Sequence, residues 1–333
     1  MRWLVTGGCG FIGRGLIADL VREGGHGVRV VDDLSAGTRA DLAAVGPFTE
    51  VAVATVGPVP PEGVELVVGD VRDESLAPRV AAGADVIVHL AANTGVQPSV
   101  EDPRADCLTN VIGTLNVLEA ARATLGSRVV FASSGAPVGE REPPIHEELA
   151  PRPASPYGAS KLAGEGYCSA YWRSFGVPAV ALRFGNVYGP LSGHKNSVVA
   201  KFIRAALEGE PWEIWGDGRQ TRDFIYIDDL VRAIRRAAEV DGIGGEIFQI
   251  ATSAETTVYE LAEVLAATLA RLGVPRAPIA HTPPKAGDVR RSFSDTSKAA
   301  RVLGWKAETP LPVGLETTVR WFLDRAEVRR RMS

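Results

Sequence analysis

A strand-like run, Trp3–Thr6, passes without a break into Gly7-Gly8-Cys9-Gly10-Phe11-Ile12-Gly13, and an amphipathic helical pattern carries on from Phe11 to Glu23. Few folds accept that arrangement. Glycines at 7, 10 and 13 remove side chains where a strand turns sharply into a helix, and such a turn opens the helix N-terminus to a pyrophosphate. Alone, the pattern is equally a tight strand-to-helix connection. The next strand, Val28–Val31, ends in Asp32, at the distance where an acid meets the ribose hydroxyls of a dinucleotide. An acid there repels a 2′-phosphate, which favours NAD over NADP. Asp33 and Ser35 either join it or cap a turn.

Strand and helix patterns then alternate. Glu65–Val68, Val86–Leu90 and Val129–Ala132 read as strands; Ser75–Ala82 and Val111–Ala123 read as helices. That order predicts an α/β protein, a doubly wound parallel sheet of Rossmann type with a smaller C-terminal substrate-binding lobe. Residues 1–180 form the predicted Rossmann domain, and 181–330 mainly the lobe, partly interleaved with it. Residues 48–63, rich in Pro, Gly and Val, show no period and read as an irregular connection. After the third strand, Asp70 and Val71 offer an edge contact to adenine. The fourth ends in His89-Leu90-Ala91-Ala92, where Leu90, Ala91 and Ala92 let the backbone approach a cofactor.

Composition narrows the function classes. A chain of 333 residues, 45% hydrophobic, has material for a sizeable core, and a net charge of −4 gives no broad basic field for nucleic acid or an anionic membrane. Cys9, Cys107 and Cys168 are scattered and odd in number, which suggests neither a disulfide framework nor a metal site. The chain runs straight into its glycine motif and has no apolar stretch of roughly 18 residues, so a cytoplasmic protein is expected.

The sharpest feature is Ser155-Pro156-Tyr157-Gly158-Ala159-Ser160-Lys161. Ser155 suits an N-cap and Pro156 a first helical turn, which places Tyr157 and Lys161 four apart on one helix face. A lysine beside a phenol favours phenolate and lowers its pKa toward working pH. The same ammonium can hold the nicotinamide ribose. Ser134, at the end of the strand before it, can hydrogen-bond a reacting oxygen. By themselves Tyr157 and Lys161 would be an ordinary surface pair; behind a dinucleotide fold they read as a catalytic one.

These motifs, with Asp32–Gly37, Asn110–Ala121, Arg183–Pro190, Gly216–Leu230 and Gly287–Lys298, resemble the extended short-chain dehydrogenase/reductases that act on nucleotide sugars, most closely the UDP-sugar 4-epimerases. The resemblance implies NAD held by Gly7, Gly10, Phe11, Ile12, Gly13, Asp32, Asp33, Ser35, Gly37, Asp70, Val71, Leu90, Ala91, Ala92, Asn110, Tyr157 and Lys161. It implies a UDP-sugar bound by Ser134, Tyr157, Asn186, Asn196, Val198, Glu213, Trp215, Arg222, Asp288 and Ser292. Asn186 would contact the diphosphate and Arg222 would clamp a phosphate. Trp215 and the backbone near Glu213 would lie against uracil, and Asp288 would bind the uridine ribose. Lys285 stands where relatives usually carry arginine. Relatives also imply a homodimer built on helices 111–123 and 157–175, although those apolar faces equally suit packing within one subunit.

Within the family the segment after the strand-end serine separates the reactions. Dehydratases carry an acidic pair there and uronate decarboxylases a glutamate, whereas this chain has Gly135 and Ala136. That points to C4 epimerisation through a transient 4-keto sugar. A dehydratase or decarboxylase, an oxidoreductase releasing NADH, and a non-catalytic NAD-binding regulator are the alternatives. Pro137-Val138-Gly139 departs from the Val-Tyr-Gly of relatives. Ser292 is small where related epimerases carry tyrosine or a small residue, leaving space for a 2-acetamido group. His194 and Lys195 either face a C6 carboxylate or lie on a solvated rim, so UDP-glucose or galactose, UDP-N-acetylhexosamine and UDP-glucuronate remain open.

Overall fold

The computed structural model describes residues 1–124, 126–283 and 289–332, with side chains up to residue 326. At its centre is an eight-stranded sheet. Its strands are β1 (Arg2–Thr6), β2 (Gly27–Asp32), β3 (Thr49–Glu50), β4 (Gly63–Val68), β5 (Val86–His89), β6 (Arg128–Ser134), β7 (Ala179–Phe184) and β8 (Ile247–Ile250). They lie in the order β8-β7-β6-β5-β1-β2-β4-β3, with every pairing parallel. The Rossmann-type α/β fold expected from the alternation is therefore present. The chain reverses direction across the sheet between β1 and β5, and a crevice opens beyond their carboxyl ends, where such sheets bind ligands.

Side-chain alternation puts apolar groups on both faces, as a sheet covered on both sides requires. Trp3 and Val5 of β1 join one core with Leu16, Ile17 and Leu20 of helix α1 (Phe11–Glu23). Leu4 points the other way, into a core with Val117 and Leu118 of α2 (Gly113–Ala123) and Cys168 and Tyr171 of α3 (Pro156–Phe175). The second half supplies β8, three two-stranded sheets, and helices α4 (Val198–Glu208), α5 (Ile227–Glu239), α6 (Val258–Arg271) and α7 (Leu311–Met332). Among the described residues no helix is long and apolar enough to cross a membrane.

Two sequence expectations are corrected. The stretch 48–63 holds a strand, β3, paired with Glu65 and Leu66. Both of its residues are exposed at the sheet edge, so no hydrophobic alternation marks it. The helix expected from Val111 begins instead at Gly113, after a π-helical turn at Leu108–Ile112. Such a turn carries no periodic signature of its own.

Candidate active site

The glycine turn is built by close approach. Gly7 has φ +69°, and a Cβ there would meet the Ala91 nitrogen at 2.7 Å, so β1 and the segment after β5 come together as no larger residue allows. At Gly13 a Cβ would meet the Gly8 Cα at 2.5 Å. Helix α1 starts at Gly10 without a side-chain cap and without an acid in its first turn. Its first amides, at Phe11 and Ile12, thus remain available to an anion.

Asp32 is buried, and its carboxylate accepts from the amides of Cys9 (2.8 Å) and Leu34 (2.9 Å). Burial pushes its pKa up while the two amides oppose this. Each oxygen keeps a lone pair for a ribose hydroxyl. Asp33 accepts from the Ser35 amide and hydroxyl, which makes these two an exposed turn. Gly37 packs on the Cys9 carbonyl, where a Cβ would come within 2.2 Å. Asp70 bonds Arg72, and Val71 is buried with its carbonyl accepting from Asn116. Beyond β5, the amides of Leu90 and Ala91 bond the Thr6 carbonyl and hydroxyl. Ala92 follows them in the half-buried segment beside the glycine turn. Glycine cradle, open helix start and Asp32 together fit a dinucleotide.

Helix α3 carries the tyrosine and lysine to the same crevice. Ser155 caps it by accepting from the Gly158 amide at 3.1 Å, Pro156 opens its first turn, and Gly176 ends it in the left-handed region. Gly164 sets its distance from the sheet, since a Cβ there would meet the Phe131 ring at 2.4 Å. Lys161 is consequently buried, its Nζ donating to the Ala132 carbonyl at 2.9 Å and lying 4.9 Å from the Phe131 ring centroid. The Tyr157 phenol lies near enough to Ser134 to be influenced by its hydroxyl, whose Oγ accepts from the Ala136 amide.

The electrostatics differ from the expectation that the ammonium acidifies the phenol. Burial pushes Tyr157 up to about 12; the neighbouring Ser134 hydroxyl opposes that and the charge of Asp106 reinforces it. Burial also pushes Lys161 down to about 8, against Asp106, Glu165 and Cys168. The Nζ sits 5.9 Å from the Tyr157 ring centroid and is turned to a backbone carbonyl, so desolvation outweighs its attraction for a phenolate.

Buried groups that the sequence reading does not single out hold this pair. Asp106 is buried and accepts from Asn110 Nδ2 at 2.8 Å. Asn110, inside the π-helical turn, also donates to the Asn93 carbonyl and Ser160 Oγ and accepts from the Asn93 amide. Ser160 in turn donates to the Tyr157 carbonyl. His89 lies between Thr6 and Thr114, and burial pushes it down to about 3, so it stays neutral. Glu165 receives Arg183 through two 2.7 Å bonds and Ser133 through one of 2.5 Å, which locks α3 to β6 and β7. Helical spacing is the available signal: Asp106 precedes Asn110 by four, and Glu165 follows Lys161 by four.

The other residues expected to face a substrate come from the second half of the chain. Asn186 is exposed, and its amide bonds the Asp223 carbonyl at 2.7 Å. Arg222 Nη1 donates to the carbonyls of Thr221 and Val289. Thr221 Oγ1 accepts from the Ser292 amide, so Asn186, Arg222 and Ser292 converge on the segment 221–223. Glu213 and Trp215 are exposed on the strand Trp212–Trp215, with Lys201 Nζ 6.0 Å from the Trp215 ring. Asn196 is exposed just before α4, which Val198 opens. His194 is exposed with its Nε2 3.7 Å from Asp41, and Lys195 Nζ stands 5.1 Å from the Phe11 ring centroid. Asp288 and Lys285 lie outside the described residues.

A parallel doubly wound sheet with a glycine cradle, a buried acid at the end of its second strand and a tyrosine–lysine helix at its carboxyl edge fits a nucleotide-cofactor enzyme. The chain belongs to the NAD dependent epimerase/dehydratase family, whose model matches residues 3–251, and NAD is that family's cofactor. It is 38% identical over 332 residues to a UDP-glucose 4-epimerase of Mycolicibacterium smegmatis, covering 98% of this chain and 100% of the relative. It is similar to the crystal structure of a UDP-glucose 4-epimerase from Thermotoga maritima with UDP-glucose: TM-score 0.86, 35% identity, 98% of this chain and 100% of that one. It is also similar to a UDP-glucuronic acid 4-epimerase from Bacillus cereus in complex with UDP-glucuronic acid and NAD: TM-score 0.83, 28% identity, 98% and 100% covered.

Proposed function

We propose that the chain catalyses NAD-dependent C4 epimerisation of a UDP-sugar through a transient 4-keto sugar. The observation that carries this reading is the phenol of Tyr157 beside Ser134 at the carboxyl edge of the sheet, with Gly135 and Ala136 rather than acids following that serine. Water or carbon dioxide loss needs a further acid or base beside the keto sugar. Inversion needs a single proton relay.

When bound, NAD would supply a reversible hydride acceptor for C4 of the sugar. Tyr157 takes the 4-hydroxyl proton and later returns it. Ser134 donates toward O4 as charge develops there. Lys161, positively charged at neutral pH and fixed on Ala132, orients the nicotinamide ribose and stabilises the phenolate. Gly7, Gly10, Phe11, Ile12 and Gly13 cradle the pyrophosphate. Asp32, with Asp33, Ser35 and Gly37 behind it, takes the adenosine ribose; Asp70 and Val71 border adenine; Leu90, Ala91, Ala92 and Asn110 line the remainder. Asn186 and Arg222 hold the diphosphate, and Trp215 and the backbone near Glu213 lie against uracil, with Asn196 and Val198 nearby. Asp288 takes the uridine ribose, and Ser292 leaves room at the sugar.

The same reading divides the chain at about residue 180 into a cofactor domain and an interleaved nucleotide-sugar lobe, and places it in the cytoplasm. It also makes the enzyme a homodimer. Val96, Val100, Leu108, Ile112 and Tyr167, all beside or on α3, are 37–57% exposed, an apolar set suited to a second copy of the chain.

Incubation with UDP-glucose, UDP-N-acetylglucosamine and UDP-glucuronate, followed by NMR of the products, tests the reaction and the substrate together. C4 inversion of one or more is the expected result. Loss of water or carbon dioxide, or release of stoichiometric NADH, overturns the assignment.

A further inference from the structure

We infer that Lys195, which the sequence assigns no place in cofactor binding, is the cation that grips the cofactor's pyrophosphate. The inference rests on the NAD-binding reading and deepens it.

The glycine turn offers backbone amides but little charge. The nearby cation on its own helix, Arg14, is buried and already committed: Nη1 to Asp41 (3.0 Å), Nη2 to the Leu191 carbonyl (2.8 Å) and Nε to the Gly10 carbonyl (3.3 Å). Asp32 and Asp33 add two negative charges on the adenosine side, while Arg14 and Asp41 cancel each other. A doubly charged pyrophosphate placed there needs a cation from elsewhere in the fold.

Lys195 reaches the turn from the loop after the strand Asn186–Tyr188, and that loop is held from three directions. Arg14 grips Leu191, which adopts φ +69°. From α4, Arg204 donates to the carbonyls of Gly193 (2.8 Å) and Lys195 (2.9 Å). Trp321 of α7 lies so close to Gly193 that a Cβ there would meet its ring at 3.3 Å. Within the loop, Ser192 Oγ donates to the Gly189 carbonyl and the Lys195 amide to the Ser192 carbonyl. So fixed, the ammonium stands 5.1 Å from the Phe11 ring centroid, above the turn that receives the pyrophosphate.

Among the described residues no carboxylate pairs with it, and burial holds its pKa below the usual lysine range. A partly desolvated cation facing an aromatic ring and no acid is costly unless an anion completes it. The solvated-rim alternative applies to His194, which is exposed and turned toward Asp41.

The test uses cofactor-free wild type, Lys195→Met and Lys195→Arg, titrated calorimetrically with NAD, with ADP-ribose and with UDP. ADP-ribose retains the pyrophosphate and lacks the nicotinamide. Loss of one charge-assisted contact should weaken NAD and ADP-ribose alike by about 10- to 100-fold in Lys195→Met. Arginine should restore most of that, and UDP should bind as to wild type. Should Lys195→Met not fold, as judged by circular dichroism, Lys195→Gln carries the same comparison. Unchanged NAD affinity in the variant, or a loss confined to UDP or UDP-glucuronate, overturns the inference alone. Failure of wild type to bind NAD sinks the cofactor reading along with it.

Discussion

The carboxyl edge of the sheet and the loops that face it across the crevice hold their polar groups in opposite ways. At the sheet edge, Lys161, Asn110, His89, Asp106 and Glu165 are all buried and bonded to neighbours in the fold. Across the gap, Asn186, Asn196, Glu213 and Trp215 are exposed and rest on short strands or loops. On the proposed reading the difference separates two tasks. Proton and hydride movement profits from dipoles that need no rearrangement when charge shifts, so its residues are locked by the core. Recognition of one sugar among several is left to surface loops, which can vary without disturbing the sheet.

Removing the phenol's oxygen is the largest break this contrast allows. Tyr157→Phe should lower turnover by about a thousand-fold while changing unfolding free energy by no more than about 1 kcal/mol, because only the hydroxyl is removed and the ring that packs in the fold is kept. Steady-state kinetics and calorimetry on the same preparation check both. A pH measurement sharpens the point. Burial holds the phenol near 12, so cofactor-free enzyme should show no Tyr157 phenolate, by ultraviolet difference against the variant, through about pH 10. NAD, whose oxidised ring is positively charged, should move that ionisation to lower pH. A phenolate already present near neutrality without NAD would mean that Lys161, not the cofactor, sets the acidity.

Next in size is the buried bridge behind the site. Glu165→Ala strands the Arg183 guanidinium, which already has one buried nitrogen without a partner, and releases Ser133. Breaking such a pair from one side costs about 3–5 kcal/mol, or about 4–7 °C of melting temperature for a chain of this size. Asn196→Ala, on the exposed loop, should stay within about 0.5 kcal/mol. Equal effects of the two substitutions in thermal unfolding would erase the contrast between the sides.

The strong local patterns are legible in the order of residues along the chain. Short continuous apolar runs mark the strands of the sheet, and Ser155-Pro156 fixes where α3 starts and which face carries Tyr157 and Lys161. What escapes is pairing between distant segments. Thr6 meets His89 across 83 positions and Ser133 meets Glu165 across 32, and no spacing along the chain announces such contacts. The unexpectedly weak acidity of Tyr157 has the same root. Its proximity to Lys161 follows from a helix turn, but the desolvation that outweighs it comes from the tertiary packing of the helix against the sheet. β3 is invisible to periodicity because two exposed edge residues have no pattern to show.

The gentlest probe lies on the recognition side, at Ser292. Its amide bonds Thr221 Oγ1, next to Arg222, and its side chain is half-buried at the segment where the expected diphosphate contacts converge. Because the backbone makes that bond, Ser292→Tyr keeps it, and unfolding should shift by less than about 0.5 kcal/mol. The added ring takes up space that a 2-acetamido group would need. The ratio of kcat/KM for UDP-N-acetylglucosamine to that for UDP-glucose should therefore fall by about 10-fold, the scale on which a crowded pocket discriminates. An unchanged ratio would remove Ser292 from the sugar pocket. Loss of several kcal/mol would show instead that this side of the crevice is as rigidly packed as the sheet edge, and the division of labour between them would fail.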